Sequence, residues 1–177
     1  MLRDPWRHEH CTQLADMPED RENETSDIVV RTLREADLED IVRIDAKVGG
    51  TPRRDYYKKK VARALLDTSV QISLAAELEG RVVGFLLGSV YYGDFGQPEA
   101  VATIDAVGVA PDAARRGVGR ALFLQLVRNL KGMRVERIET QVDFSNSELL
   151  LFFQRMGFIP SRRLSLEKAL DPTELEG

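Results

Sequence analysis

The chain has 177 residues, of which 43% are hydrophobic and 31% charged, and its net charge is −4. That suits one domain with a sizeable core, and the acidic balance argues against nucleic acid as the main partner. No apolar run approaches the ~18 residues needed to span a bilayer, so no membrane partner is expected, and a single cysteine, Cys11, excludes an internal disulfide.

Residues 1–27 carry Asp16, Glu19, Asp20, Glu22, Glu24 and Asp27 and read as a flexible polar N-terminal tail. His8, His10 and Cys11 within it are three ligand types close together. No second cluster completes a site, so no metal is expected. The tail has no apolar signal core, which predicts a cytoplasmic protein. A single domain is expected over residues 28–177.

A strand is predicted at 28–32 and a helix over 36–48, where Leu38, Ile41 and Val42 recur at helical spacing. "GGTPRR" ends it, and "DYYKKKVARALLD" predicts a second helix with Tyr57, Val61, Ala64 and Leu65 on one face. Lys58, Lys59 and Lys60 then form a solvated face. "QISLAAEL" and "RVVGFLLGSVYY", joined at Glu79-Gly80, predict a hairpin. "AVATIDAVGVA" predicts a long strand, and 117–131 a helix burying Leu122, Phe123, Leu126, Val127 and Leu130. "ERIETQVDF" reads as a strand, "SNSELLLFFQRM" as a largely buried helix, and "LSLEKAL" as a last strand. The order is that of a mixed α/β layer fold rather than a regular βαβ series.

The stretch "APDAARRGVGRAL" joins a strand to a helix through glycines and arginines. A helix start leaves backbone N–H groups unpaired and carries partial positive charge, and glycine lets an anion approach closely. Arg115, Arg116 and Arg120 add full charges, so the segment fits a phosphate or pyrophosphate. A plain strand-to-helix turn with surface arginines explains it equally well. A nucleotide-triphosphate loop needs Gly-Lys-Ser/Thr, where Gly119-Arg120-Ala121 stands; a dinucleotide loop needs a third glycine, where Leu122 stands.

The stretch from "TIDAVGVAPDAARRGVGRAL" to "NSELLLFFQRMGF" resembles the GNAT superfamily of acetyl-CoA-dependent N-acetyltransferases, over roughly residues 28–168. The family's loop, Gln/Arg-x-x-Gly-x-Gly/Ala, appears as Ala114 to Gly119, with alanine at its first position. Its second signature, Asn before an apolar helix ending in Gly-Phe, appears as Asn146 through Gly157-Phe158. The resemblance implies a GNAT-type α/β fold: a mixed, mostly antiparallel sheet with a central splay, flanked by helices. It implies acetyl-CoA as co-substrate, its pantetheine along Val107, Gly108 and Val109, and its pyrophosphate on amides from Arg115, Arg116, Gly117, Val118, Gly119 and Arg120. Asn146 would bond the pantetheine or cap its helix. It also implies homodimers among its members.

Amine acetylation needs a proton removed from the acceptor. Asp105, a carboxylate inside an apolar strand, is the candidate general base, with paired or solvated carboxylate as the plain alternative. Glu139 and Asp143 are weaker candidates. Tyr91, Tyr92, Asp94 and Glu99 could line the acceptor's mouth. Many family members carry a tyrosine acid four residues before the Gly of Gly-Phe; here Phe153 stands there, expected among the cofactor-binding residues, and the thiolate leaves by another donor or by solvent. The reading is direct transfer of acetyl to a protein, peptide or small amine. Its rivals are a CoA-binding sensor and an acyltransferase for longer chains.

Overall fold

The architecture follows from one strand buried on both sides. The computed structural model describes residues 27–49, 52–66, 72–91, 100–163 and 165–168. The five-stranded sheet runs in chain order: β1 (Ile28–Thr32), β2 (Leu74–Leu78), β3 (Arg81–Tyr91), β4 (Val101–Val109) and β5 (Arg137–Thr140). Neighbours are antiparallel except β4 and β5, which are parallel. In β3 every residue from 82 to 88 is buried, as expected of a central strand covered on both faces. Glu79 and Gly80 close the β2–β3 hairpin at φ 53° and 75°, the two left-handed positions that match strand twist in a two-residue turn.

Adjacent residues Gly84 and Phe85 show which helices cover which face. A Cβ on Gly84 would meet Val118 and Leu122 of α3 (Val118–Gly132). Phe85 instead stacks edge-on against Tyr57 of α2 (Arg54–Leu66) at 5.6 Å. It also covers Gly108, where a Cβ would stand 2.6 Å from the ring and 3.4 Å from Ile44 of α1 (Leu38–Gly49). So α1 and α2 lie on one face and α3 on the other. α3 buries Val118, Leu122, Phe123, Leu126 and Leu130, one apolar stripe; Val127 is half-buried.

The first predicted helix opens as a 3-10 turn, Glu35–Asp37, before becoming α1. Asp37 causes this by accepting the Arg34 N–H at 2.7 Å. Its buried carboxylate also receives both Nη atoms of Arg31 from β1 at 2.8 Å, which locks the helix to the sheet.

Three expectations need correction. β5 ends at Thr140 rather than running on to 144, because its partner leaves: the last paired residues are Ile104 and Thr140, and Thr140 Oγ1 donates to the Ile104 carbonyl at 3.0 Å. α4 (Ser147–Arg155) is not largely buried; only Phe153 is enclosed, while Leu150 and Leu151 are 37% and 51% exposed. It has one covered face, where Phe152 lies against Gly119 of α3. Residues 165–168 form no strand, and Leu166 is 90% exposed, so no sheet edge receives them there.

Candidate active site

β4 outlasts its neighbour. Beyond Ile104 it continues for five residues, to Val109, paired with β3 alone among the described residues. Its β5-side edge from Asp105 to Val109 therefore has no strand beside it, and all five residues are half-buried. This parting is the central splay expected of the fold. Val107, Gly108 and Val109 lie along it.

Asp105 stands at the start of that edge for a local reason. The β3–β4 register pairs Leu87 with Ala106 and Gly88 with Ile104, so Asp105 is the extra residue of a β-bulge. It faces the helices α1 and α2. Ser89 Oγ donates to its Oδ2 at 3.0 Å, and Lys60 Nζ of α2 lies 3.2 Å from its Oδ1. The carboxylate side chain is 19% exposed. Lys60 and Ser89 were not singled out by sequence. Lys60 was read as part of an outward triplet, yet it stands three residues after the buried Tyr57 and so flanks the covered stripe of α2.

The position of α2 is itself fixed. Asp45, buried on α1, accepts Tyr57 Oη at 2.9 Å and Arg53 through Nη2 at 2.6 Å and Nε at 3.0 Å. The Arg53 guanidinium holds the Asp45 carboxyl below its ordinary value against the opposing push of burial, and the Tyr57 hydroxyl helps. Burial, followed by the bond to Asp45, raises the Tyr57 hydroxyl above its ordinary range.

At the far end of the cleft, β4 runs through Ala110 and a 3-10 turn, Pro111–Ala113, to α3. Arg115 and Gly117 adopt left-handed φ values of 61° and 83°. The first helical bond is Ala121 N–H to Gly117 O, so the amides of Val118, Gly119 and Arg120 precede it, as at any helix start. Arg115 and Arg116 are exposed and Arg120 half-buried. A Cβ on Gly117 would meet nothing within 4 Å, so the space beside the turn is open there. Val118 is buried, its side chain in the core against Gly84.

Gly119 has a different role. A Cβ there would stand 3.1 Å from the Phe152 ring of α4, so the absent side chain seats α4 against α3. Gly119→Val is expected to lower stability by about 1–3 kcal/mol, as overpacking against the Phe152 ring does; urea unfolding checks it, and an unchanged midpoint would contradict the contact.

Asn146 caps α4: its Oδ1 accepts the Leu149 N–H at 3.1 Å. Phe153 is 4% exposed and packs against Phe152 and Phe158 at 5.2 and 4.9 Å between ring centroids. Its ring is core rather than cleft wall. Glu139 is paired with Arg137 and Arg163, and Asp143 accepts the N–H and hydroxyl of Ser145 to form the turn before α4. Tyr91 ends β3, half-buried; Tyr92, Asp94 and Glu99 lie outside the described residues, as do His8, His10 and Cys11. Among the described residues no cluster could hold a metal, and no helix is long and apolar enough to cross a membrane.

A sheet that parts beside a glycine-led, arginine-bearing helix start defines an acyltransferase fold. The chain belongs to the acetyltransferase (GNAT) family, whose profile matches residues 36–158. It is 35% identical over 89 residues to a mycothiol acetyltransferase of Saccharomonospora viridis, a match covering 48% of this chain and 28% of that protein. The chain spans about a quarter of the length of the curated relatives it matches. Its fold superposes on a transcriptional regulator from Bacillus halodurans C-125 with a TM-score of 0.68 at 20% identity, covering 81% of this chain and 99% of that one. It also superposes on an aminoglycoside N-acetyltransferase, AAC(6')-Iy, in complex with CoA, with a TM-score of 0.67 at 17% identity, covering 80% and 94%. The family implies acetyl-CoA as co-substrate.

Proposed function

We propose that the protein transfers acetyl from acetyl-CoA directly to an amine bound with it, without a covalent intermediate on the enzyme. The observation that carries this reading is the unpaired β4 edge running from Asp105 toward the glycine turn at the start of α3. That edge offers backbone partners to the pantetheine arm. The amides from Arg115 to Arg120, with three guanidinium groups beside them, suit the pyrophosphate. Gly117, at φ 83° with nothing beside its Cβ position, keeps the turn free of a side chain there.

The N–H of Val107 donates to the thioester oxygen as it becomes an oxyanion, since the register that bonds Ala110 N–H to Val83 O turns the Gly108 N–H toward β3; one such donor contributes about 3–4 kcal/mol. Asp105 takes the acceptor's proton. The ion pair with Lys60 is equally what a plain paired strand carboxylate would show, so the assignment rests on the place of Asp105 at the head of the unpaired edge. Phe153 leaves no hydroxyl at the tyrosine position, so the thiolate, from a thiol of pKa ~8.5, departs with a solvent proton. Asn146, with its oxygen engaged as the cap, contributes to the pantetheine through its amide nitrogen. The acceptor class we favour is a peptide, protein or small amine reaching Asp105 from the side of α1 and α2, in a cytoplasmic setting.

The test is release of CoA thiol from acetyl-CoA across a panel of amines. Amine-dependent release supports the reading; tight CoA binding without release with any amine overturns it in favour of a sensor, and preference for propionyl or succinyl donors makes it a longer-chain acyltransferase. Gly117→Val is expected to weaken CoA binding about tenfold or more, because valine disfavours φ 83° by about 1–2 kcal/mol and draws the turn out of the conformation that presents its amides. Unchanged affinity by calorimetry would remove the pyrophosphate from this turn.

A further inference from the structure

Three successive lysines on α2 meet different surroundings. Lys58 and Lys59 are exposed. Lys60 turns toward the site, its Nζ 3.2 Å from Asp105 Oδ1 and 5.9 Å from the centre of the Tyr56 ring, with the side chain 30% exposed. The carboxylate assigned as base already holds a primary amine, and that amine belongs to the chain itself. Ser89 holds the other carboxylate oxygen, so the pair stands in a defined geometry. Val107 is two residues farther along β4, about 7 Å at the rise of a strand. The flexible four-carbon stem of a lysine covers such a step by changing rotamer.

We propose that Lys60 is a self-acetylation site: with acetyl-CoA bound and no external acceptor, its Nζ receives the acetyl group. The inference rests on the transfer reading above. Asp105 takes one proton from the ammonium and passes it to water. The neutral Nζ bonds to the carbonyl carbon, the carbon–sulfur bond breaks, the second nitrogen proton passes to water, and the departing thiolate takes a proton from solvent. The products are N-acetylated Lys60, CoA thiol and one proton; nothing is oxidised or reduced. Acetylation also abolishes the charge at position 60, which leaves Asp105 with Ser89 alone and opens it to an external ammonium. The modification therefore occurs once per chain and readies the site.

The full chain is incubated with acetyl-CoA and no amine, and each lysine is followed by peptide mass mapping. Lys60 is expected to approach one acetyl group per chain, at a rate independent of protein concentration. It should do so at least about a hundredfold faster than Lys58 or Lys59, the low end of what a positioned base and a held thioester supply. Asp105→Asn and Gly117→Val should each abolish that advantage. Equal labelling of the three lysines, or labelling of Lys60 undiminished by Gly117→Val, is uncatalysed chemistry and overturns the proposal. A rate rising with protein concentration means one chain acetylates another, and overturns it too. Amine-dependent thiol release on the same preparation separates the two readings. Release with Lys60 unmodified removes self-acetylation and leaves transfer intact; CoA binding with neither release nor labelling removes both.

Discussion

Asp105→Asn is expected to reduce amine-dependent CoA release by about 10²- to 10⁴-fold, the usual contribution of a positioned proton acceptor. The amide is the same size and still accepts from Ser89 but takes no proton. The loss should be greatest below the amine's own pKa, where most of the acceptor is protonated, and should shrink as pH rises. CoA affinity should hold, because Asp105 is at the opposite end of the unpaired edge from the α3 turn. A variant whose pH–rate profile matched the parent's would exclude Asp105 as the base.

Asp45→Ala should lower stability by about 2–3 kcal/mol, since it strands the buried Tyr57 hydroxyl; the half-exposed Arg53 recovers its hydration and adds little. In a domain of this size that shifts Tm by roughly 5–10 °C. The same clasp predicts a pH response. The Asp45 carboxyl titrates below its unfolded value, so its contribution is complete above about 3.9 and is lost as pH falls through the folded value. Tyr57 titrates above its unfolded value, so its contribution is complete below about 10 and is lost as pH rises beyond. Thermal melts of parent and variant across pH check both. Equal melting temperatures at neutral pH would show that α1 and α2 are held by apolar packing alone.

Local signals were legible where one residue type dictates one conformation. Glu79-Gly80 announced a tight hairpin, the stripe from Leu122 to Leu130 announced α3, and the glycine turn announced its start. Elements governed by what lies beside them were not. "ERIETQVDF" has strand chemistry throughout, but pairing stops where β4 departs at Ile104. The apolar run of α4 promised burial, yet the helix has one covered face, so Leu150 and Leu151 meet water. The same limit applied to the cleft. Asp105 was conspicuous as a charge among apolar neighbours, whereas Lys60 looked like any solvated lysine until α2 was seen across β4. Phe153 drew notice as a missing hydroxyl; its ring turned out to serve the aromatic packing with Phe158.

The β-bulge carries one more implication. Asp105 is the residue that the β3 ladder skips, since its neighbours on both sides have partners and it has none. The carboxylate proposed as the base thus sits on a surplus link in the weave. Exchanging that side chain disturbs no pairing, so the scaffold tolerates glutamate, asparagine or serine there with its architecture intact. Laboratory evolution can therefore retune the chemistry at this one position while the rest of the molecule folds as before.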